Sequence, residues 1–179
     1  RASRRGHSLA NTVRALALLK ERGFKSGLHL MAGLPGAGPG GFAATVTRTV
    51  ALRPDTVRIH PTLGLRDTPL AERFRSGAYL PLSLPEAIDL CKNALRAFTA
   101  AGIPVIRLGL QTTRALEEPG AVVAGPCHPA FRTLVETALF MEMAAALIEA
   151  AQADGNPPVS LRETGAGLRS VGFSVCPAD

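Results

Sequence analysis

Three times in this chain a helical pattern is closed by Gly or Pro and followed within a few residues by a short apolar strand. Ser8 can cap a helix through Arg22, in which Leu9, Val13, Leu16 and Leu19 fall near helical spacing, and Gly23 ends it. Phe24–Ala32 then reads as a strand. Phe42, Val46 and Val50 repeat the helical pattern up to Leu52, Arg53-Pro54-Asp55 is a turn, and Thr56–His60 is a strand stopped by Pro61. The third unit opens on a capping box, Ser83-Leu84-Pro85-Glu86. Ile88, Cys91, Leu95 and Phe98 then form an apolar stripe, Gly102 is the stop, and Ile103–Leu110 is the strand. Helices and strands alternating through short links build a parallel α/β sheet or barrel. A long helix over about 130–151 follows GPCHP (125–129). Asp154–Pro158 is a linker, and the tail from Val159 reads as a short helix and a strand, Val171–Val175.

The 179 residues suffice for one domain or one and a half, with a real core. The longest apolar stretch, 138–151, is broken by Glu142 and Glu149, so the sequence predicts a soluble protein that does not enter a membrane. Cys91, Cys127 and Cys176 are odd in number and lack C-x-x-C spacing. That excludes a disulfide framework and predicts a reducing, cytoplasmic setting. The net charge of +6 raises the question of a polyanionic partner. Of the 20 basic residues three are Lys, leaving 17 Arg scattered through the chain, a pattern that favours a solvated surface. The chain opens on RASRRGHS, which reads as a loop entered midway, so a fragment of a longer protein is expected.

Between the first strand and the second helix lies GLPGAGPGG, whose composition predicts an irregular loop. Gly33 to Gly38 fits the first six places of the P-loop pattern G-x-x-x-x-G-K-S/T. Pro39 and Gly40 stand where Lys and the hydroxyl residue should be. Pro39 supplies neither charge nor an N–H, and Gly40 cannot hold a metal, so nucleotide hydrolysis is not expected here. What survives is a glycine-rich turn leaving the carboxyl end of a strand, the face on which parallel α/β folds place ligands.

RRGHS (4–8), GFKSGLHLMAGLPG (23–36) and RPDTVRIHPTLGLRDTPLAERFRSGAYLPLSLPEA (53–87) occur in that order. The set resembles the later part of the radical S-adenosylmethionine barrel, in the branch of the Elongator catalytic subunit and, more distantly, the oxygen-independent coproporphyrinogen oxidases. The resemblance implies an α/β fold: the last βα units of a partial parallel (βα)6 barrel over 1–66, a mostly helical α/β extension over 67–151, and a linker and tail over 152–179. It implies S-adenosylmethionine and a 4Fe–4S cluster as cofactors, with 5′-deoxyadenosyl radical chemistry on a substrate. The family's three cluster cysteines would lie upstream, and Cys91, Cys127 and Cys176 cannot replace them. No metal ligand and no catalytic residue is therefore expected in this chain, which should be inactive alone and should need the upstream half of the same barrel as partner.

On the same resemblance, Arg5 would reach the ribose or carboxylate of S-adenosylmethionine, a role suited to a bidentate guanidinium. A basic terminus with Arg1 and Arg4 is the alternative. His29 falls where coproporphyrinogen oxidases carry a ribose-binding Asp, with Leu28, Leu30 and Ala32 on the opposite face of its strand; a core histidine is the alternative. Gly33, Leu34 and Pro35 would turn against the adenine. Arg58 and His60 share a strand face and suggest a lined cavity, with His60 on the cofactor side and Arg58 and Arg107 facing substrate, either tRNA or a small molecule. Cys127-His128 lacks the partner pair a metal site needs, and His128 reads as a cap of the following helix. The competing reading is a basic module that binds RNA or another polyanion without catalysis, through Arg4, Arg5, Arg58 and Arg66. It would lack the aromatic platform of single-strand readers, having one Tyr and no Trp.

Overall fold

The computed structural model describes residues 6–110, 113, 116 and 118–153, and the backbone of 160–161 and 173–174. α1 (Leu9–Glu21) starts where Ser8 and Asn11 close a capping box, and ends before Gly23. Only Leu16 of this helix is buried, leaving Leu9, Val13, Leu18 and Leu19 exposed. The ammonium of Lys20 donates to the carbonyls of Leu52 and Arg53 at 2.8 and 2.7 Å. It thereby neutralises the carboxyl end of α2 (Gly38–Leu52) and ties the two helices together.

β1 spans Gly27–Ala32, three residues shorter than the expected strand from Phe24. The reason is local: the Ser26 N–H and hydroxyl both donate to the Asp55 carboxylate, at 2.7 and 3.0 Å, so that N–H cannot enter a ladder. The glycine-rich run also departs from expectation, because α2 already begins at Gly38 with Pro39 in its first turn. A first-turn N–H has no intrahelical acceptor, so proline removes nothing there. β2 (Thr56–Pro61) runs parallel to β1, from Gly27 opposite Thr56 to Ala32 opposite Pro61. The strand takes in Pro61 rather than ending before it, and the Thr62 N–H still donates to the Ala32 carbonyl at 2.8 Å.

α4 (Leu84–Ala100) carries the expected capping box, with Ser83 and Glu86 bonded reciprocally. Its buried stripe is Ala87, Cys91, Ala94 and Phe98, while Ile88 and Leu95 of the expected stripe are partly buried against the same core. β4 (Val105–Leu108) then adds beside β2, again parallel, giving the order β1-β2-β4. Three elements lay outside expectation. α3 (Pro69–Arg75) is capped by Thr68, and β3 (Gly64–Leu65) pairs antiparallel with β5 (Val122–Ala124). α5 runs from Phe131 to Ala153, and the Ala130 N–H ahead of it donates to His128 Nδ1 at 3.1 Å.

One core holds these elements. Phe42 and Val46 of α2, Ala87, Cys91, Ala94 and Phe98 of α4, and Phe131 and Val135 of α5 cover one face of the sheet, on Leu30, Ala32, Val57, Ile59 and Leu108. The core therefore continues across residue 66, and β4 belongs to the same sheet as β1 and β2. By contacts the chain divides into Arg1–Ala138 and Leu139–Asp179. The second unit contains the rest of α5 and a short antiparallel pair, β6 (Ser160–Leu161) with β7 (Phe173–Ser174). Where a short helix is expected from Val159, Ser160–Leu161 is a strand, and 162–172 lie outside the described residues; β7 falls within the expected strand Val171–Val175. Among the described residues, no helix is long and apolar enough to cross a membrane.

Candidate functional site

Alternation along each strand sends what the core does not use to the other side of the sheet. That side carries His29 and Met31 from β1, Arg58 and His60 from β2, and Arg107 from β4. His29, Arg58 and Arg107 are exposed, and Met31 is 42% exposed. The strand registers set His29 opposite Arg58 and Arg58 opposite Arg107, so three basic side chains form one row across three strands. An irregularity in β4 between the Val105 and Arg107 pairings keeps Arg107 on this side while Leu108 returns to the core.

His60 sits one step nearer the strand ends, opposite Met31, and its ring centroid lies 4.3 Å from that of His29. It is only 8% exposed, yet among the described residues neither ring nitrogen has a partner in hydrogen-bond geometry. The Oγ1 of Thr62, two residues on, is likewise buried and unpartnered. Burial first, then the neighbouring His29, Arg107 and Arg58, hold the His60 pKa below its ordinary value, although the Gly109 backbone acts the other way. The charged groups acting on His60 are thus all basic, and the ring is kept neutral. Buried polar atoms without partners are uncommon, so this end of the sheet is built to meet something.

The bend after β1 is held from beneath. Gly33 adopts φ +82°, and its carbonyl accepts a 2.8 Å hydrogen bond from the Tyr79 hydroxyl. A Cβ at Gly33 would come within 2.7 Å of Leu82, so only glycine fits this turn as packed. Leu34 and Pro35 are half-buried beside it. Because Ala32 pairs with Pro61, the bend lies at the same end of the sheet as His60. A recess of about 320 Å³, lined by His29, Arg58, Thr56 and Ile106, opens beside the basic row.

His29, His60, Arg58 and Arg107 are therefore on one side of one sheet, with the Gly33-Leu34-Pro35 bend at its carboxyl edge. Arg5 lies outside the described residues. Arg66, counted with the basic surface in the competing reading, is engaged elsewhere, by the Glu118 carboxylate and the Pro119 carbonyl at 3.3 Å each. Sequence reasoning missed Thr62 and Tyr79. Continuing the two-residue period past His60 finds Thr62, whereas no local pattern marks Tyr79.

The donor chemistry separates the two implied cofactors. Among the described residues no group of three or more His, Cys, Asp or Glu could hold a metal ion, so these residues do not fit an iron–sulfur cluster. The orphaned nitrogens of His60 and the Thr62 hydroxyl do fit a polar, hydrogen-bonding molecule such as a nucleoside.

Comparison with known proteins places the chain among relatives. Residues 54–140 match the family model described as the Radical_SAM C-terminal domain. Over 94 residues the chain is 34% identical to the tRNA uridine(34) acetyltransferase of Methanocaldococcus jannaschii, covering 51% of this chain and 17% of that protein. It is 33% identical over 98 residues to Elongator complex protein 3 of Homo sapiens, covering 53% and 18%. A solved structure of Elp3 from Methanocaldococcus infernus, with an N-terminal deletion, superposes with a TM-score of 0.63 at 25% identity. That match covers 89% of this chain and 39% of the other. The chain spans less than a fifth of the length of these curated relatives.

Proposed function

This chain carries the C-terminal portion of the radical S-adenosylmethionine fold in its Elongator-like form, and from that premise we propose that its sheet completes a barrel begun by a preceding half. One observation carries the reading. Parallel sheets are ordinarily covered on both faces, but among the described residues the core helices pack against one side of this one, and β1 has β2 as its single neighbour. On the other side stands His60, buried, its ring nitrogens without a hydrogen-bond partner among the described residues.

In the completed barrel His29 and His60 face the ribose of S-adenosylmethionine, with Arg5 toward its carboxylate, and the Gly33-Leu34-Pro35 bend receives the adenine. His60 stays neutral beside its basic neighbours, so one ring nitrogen donates and the other accepts. Arg58 and Arg107 face the substrate. When bound, the 4Fe–4S cluster and S-adenosylmethionine supply the 5′-deoxyadenosyl radical, and that chemistry belongs to the cofactors. The cluster ligands belong to the preceding half, so this segment alone is inactive. The relatives named as tRNA uridine(34) acetyltransferases support tRNA as substrate over a free small molecule. The free thiols of Cys91 and Cys127 support a reducing, cytoplasmic setting.

The competing polyanion-binding module gains nothing from Arg66, which is already occupied. Anaerobic reconstitution of the parent polypeptide separates the two readings. Retained iron and sulfide, with reductant-dependent release of 5′-deoxyadenosine, is expected. Absence of both, together with salt-dependent RNA binding, would overturn the proposal.

A further inference from the structure

The cavity formed where GPCHP folds over the ends of β2 and β4 is separate from the basic row. It measures about 330 Å³, and its walls include Pro61, Leu63, Leu110 and Phe131, with Cys127 and His128 as the polar members. Two glycines fix its shape. Gly109 takes φ +88° with Phe131 packed so closely that a Cβ would lie 3.1 Å from it. Gly125 takes φ +103°, and a Cβ there would approach the Thr62 carbonyl to 2.7 Å. A side chain at either position would displace a wall, so the cavity depends on this backbone path.

Its chemistry is narrow. Among the described residues no charged side chain lines it, so an ionised group held there would find no counterion among them. The rings of Pro61 and Phe131 and the branched side chains of Leu63 and Leu110 suit a flat apolar body. His128 Nδ1 already accepts the Ala130 N–H, so the neutral ring carries its proton on Nε2 and has one donor to offer. Carboxyl ends of adjacent parallel strands are where α/β folds place ligands, and the volume lies at the small end of the ligand-site range.

We propose that this cavity binds a neutral, planar, ring-sized group bearing a carbonyl acceptor, held between Phe131 and the leucines with its oxygen on His128 Nε2–H. The site is independent of the cofactor reading above, because it shares none of that reading's residues other than the neighbouring strand end.

Cys127, a free and exposed thiol at the cavity, reports occupancy. Its alkylation by iodoacetamide would be followed on the Cys127 peptide by mass spectrometry, with benzamide, benzoate or toluene present. For a fragment of Kd about 1 mM, about 10 mM benzamide should slow the reaction about tenfold. Benzoate should have no effect. His128→Ala should reduce benzamide to the weaker protection given by toluene, which has no acceptor. Leu110→Arg, at a part-exposed wall, should abolish protection by both without depending on the His128 cap. Equal protection by benzoate, none by benzamide, or protection unchanged in Leu110→Arg would overturn the proposal.

Discussion

His29 and His60 stand on neighbouring parallel strands with ring centroids 4.3 Å apart and planes inclined at 58°. One ring is exposed and the other almost wholly buried. Burial and the basic neighbours lower the His60 pKa from 6.5. As pH falls below that value the unfolded chain takes up a proton that the folded one refuses, so stability declines until pH passes the lowered folded value. Urea unfolding at pH 7.5 and pH 5 should show this loss, and His60→Asn should remove most of it.

Asp55 gives a second pH effect in a separate window. The Ser26 backbone N–H, then its hydroxyl, hold the carboxyl pKa below 3.8. A carboxylate with a lowered folded pKa contributes stability that is present above the unfolded value and lost as pH falls through the folded one. Asp55→Asn should leave the loss below pH 6.5 intact and flatten the unfolding midpoint below about pH 4.

The bend at Gly33 is sensitive to a single methyl group. At φ +82°, Gly33→Ala should cost about 1–2 kcal/mol for the left-handed backbone, before any displacement of Leu82. Tyr79→Phe removes the hydroxyl bonded to the Gly33 carbonyl and should cost about 1 kcal/mol. Denaturant melts of the two variants and their double mutant would show whether bend and support act together, as non-additive losses.

Cys91 is fully buried in the core, and burial pushes its thiol pKa up to about 12. In the native protein at pH 8 it should resist alkylation, while Cys127 reacts. Both should react in denaturant, which peptide mapping would show. Phe98→Ala, two turns along the same buried stripe of α4, should cost about 3–5 kcal/mol and make Cys91 reactive at lower denaturant.

What the sequence made legible followed from local rules. The Ser8 and Ser83 caps, the stop at Gly23 and the alternation of Arg58 and His60 with Val57 and Ile59 each rest on a few consecutive residues, and the fold keeps all of them. Departures arose where distant groups compete. Asp55 withdraws the Ser26 N–H from the strand, and first-turn geometry turns Gly38 and Pro39 from loop into helix. Thr68-Pro69 carries a hydroxyl cap and a first-turn proline, as Ser83-Leu84-Pro85 does, so α3 was available to local reading. The opposition of Arg58 and Arg107 was not, because it depends on strand order and on the irregularity in β4. The orphaned state of His60 depends on burial, which residue spacing does not report.

The central claim is that the bare, basic side of this sheet, with His60 at its edge, receives S-adenosylmethionine. Its most direct measurement is equilibrium binding of S-adenosylmethionine to the anaerobically reconstituted parent polypeptide, comparing the natural protein with His60→Ala at matched fold content by circular dichroism. Loss of one hydrogen bond to a buried partner, about 1–1.5 kcal/mol, predicts a Kd raised about tenfold. An unchanged Kd in a folded His60→Ala protein would contradict the account.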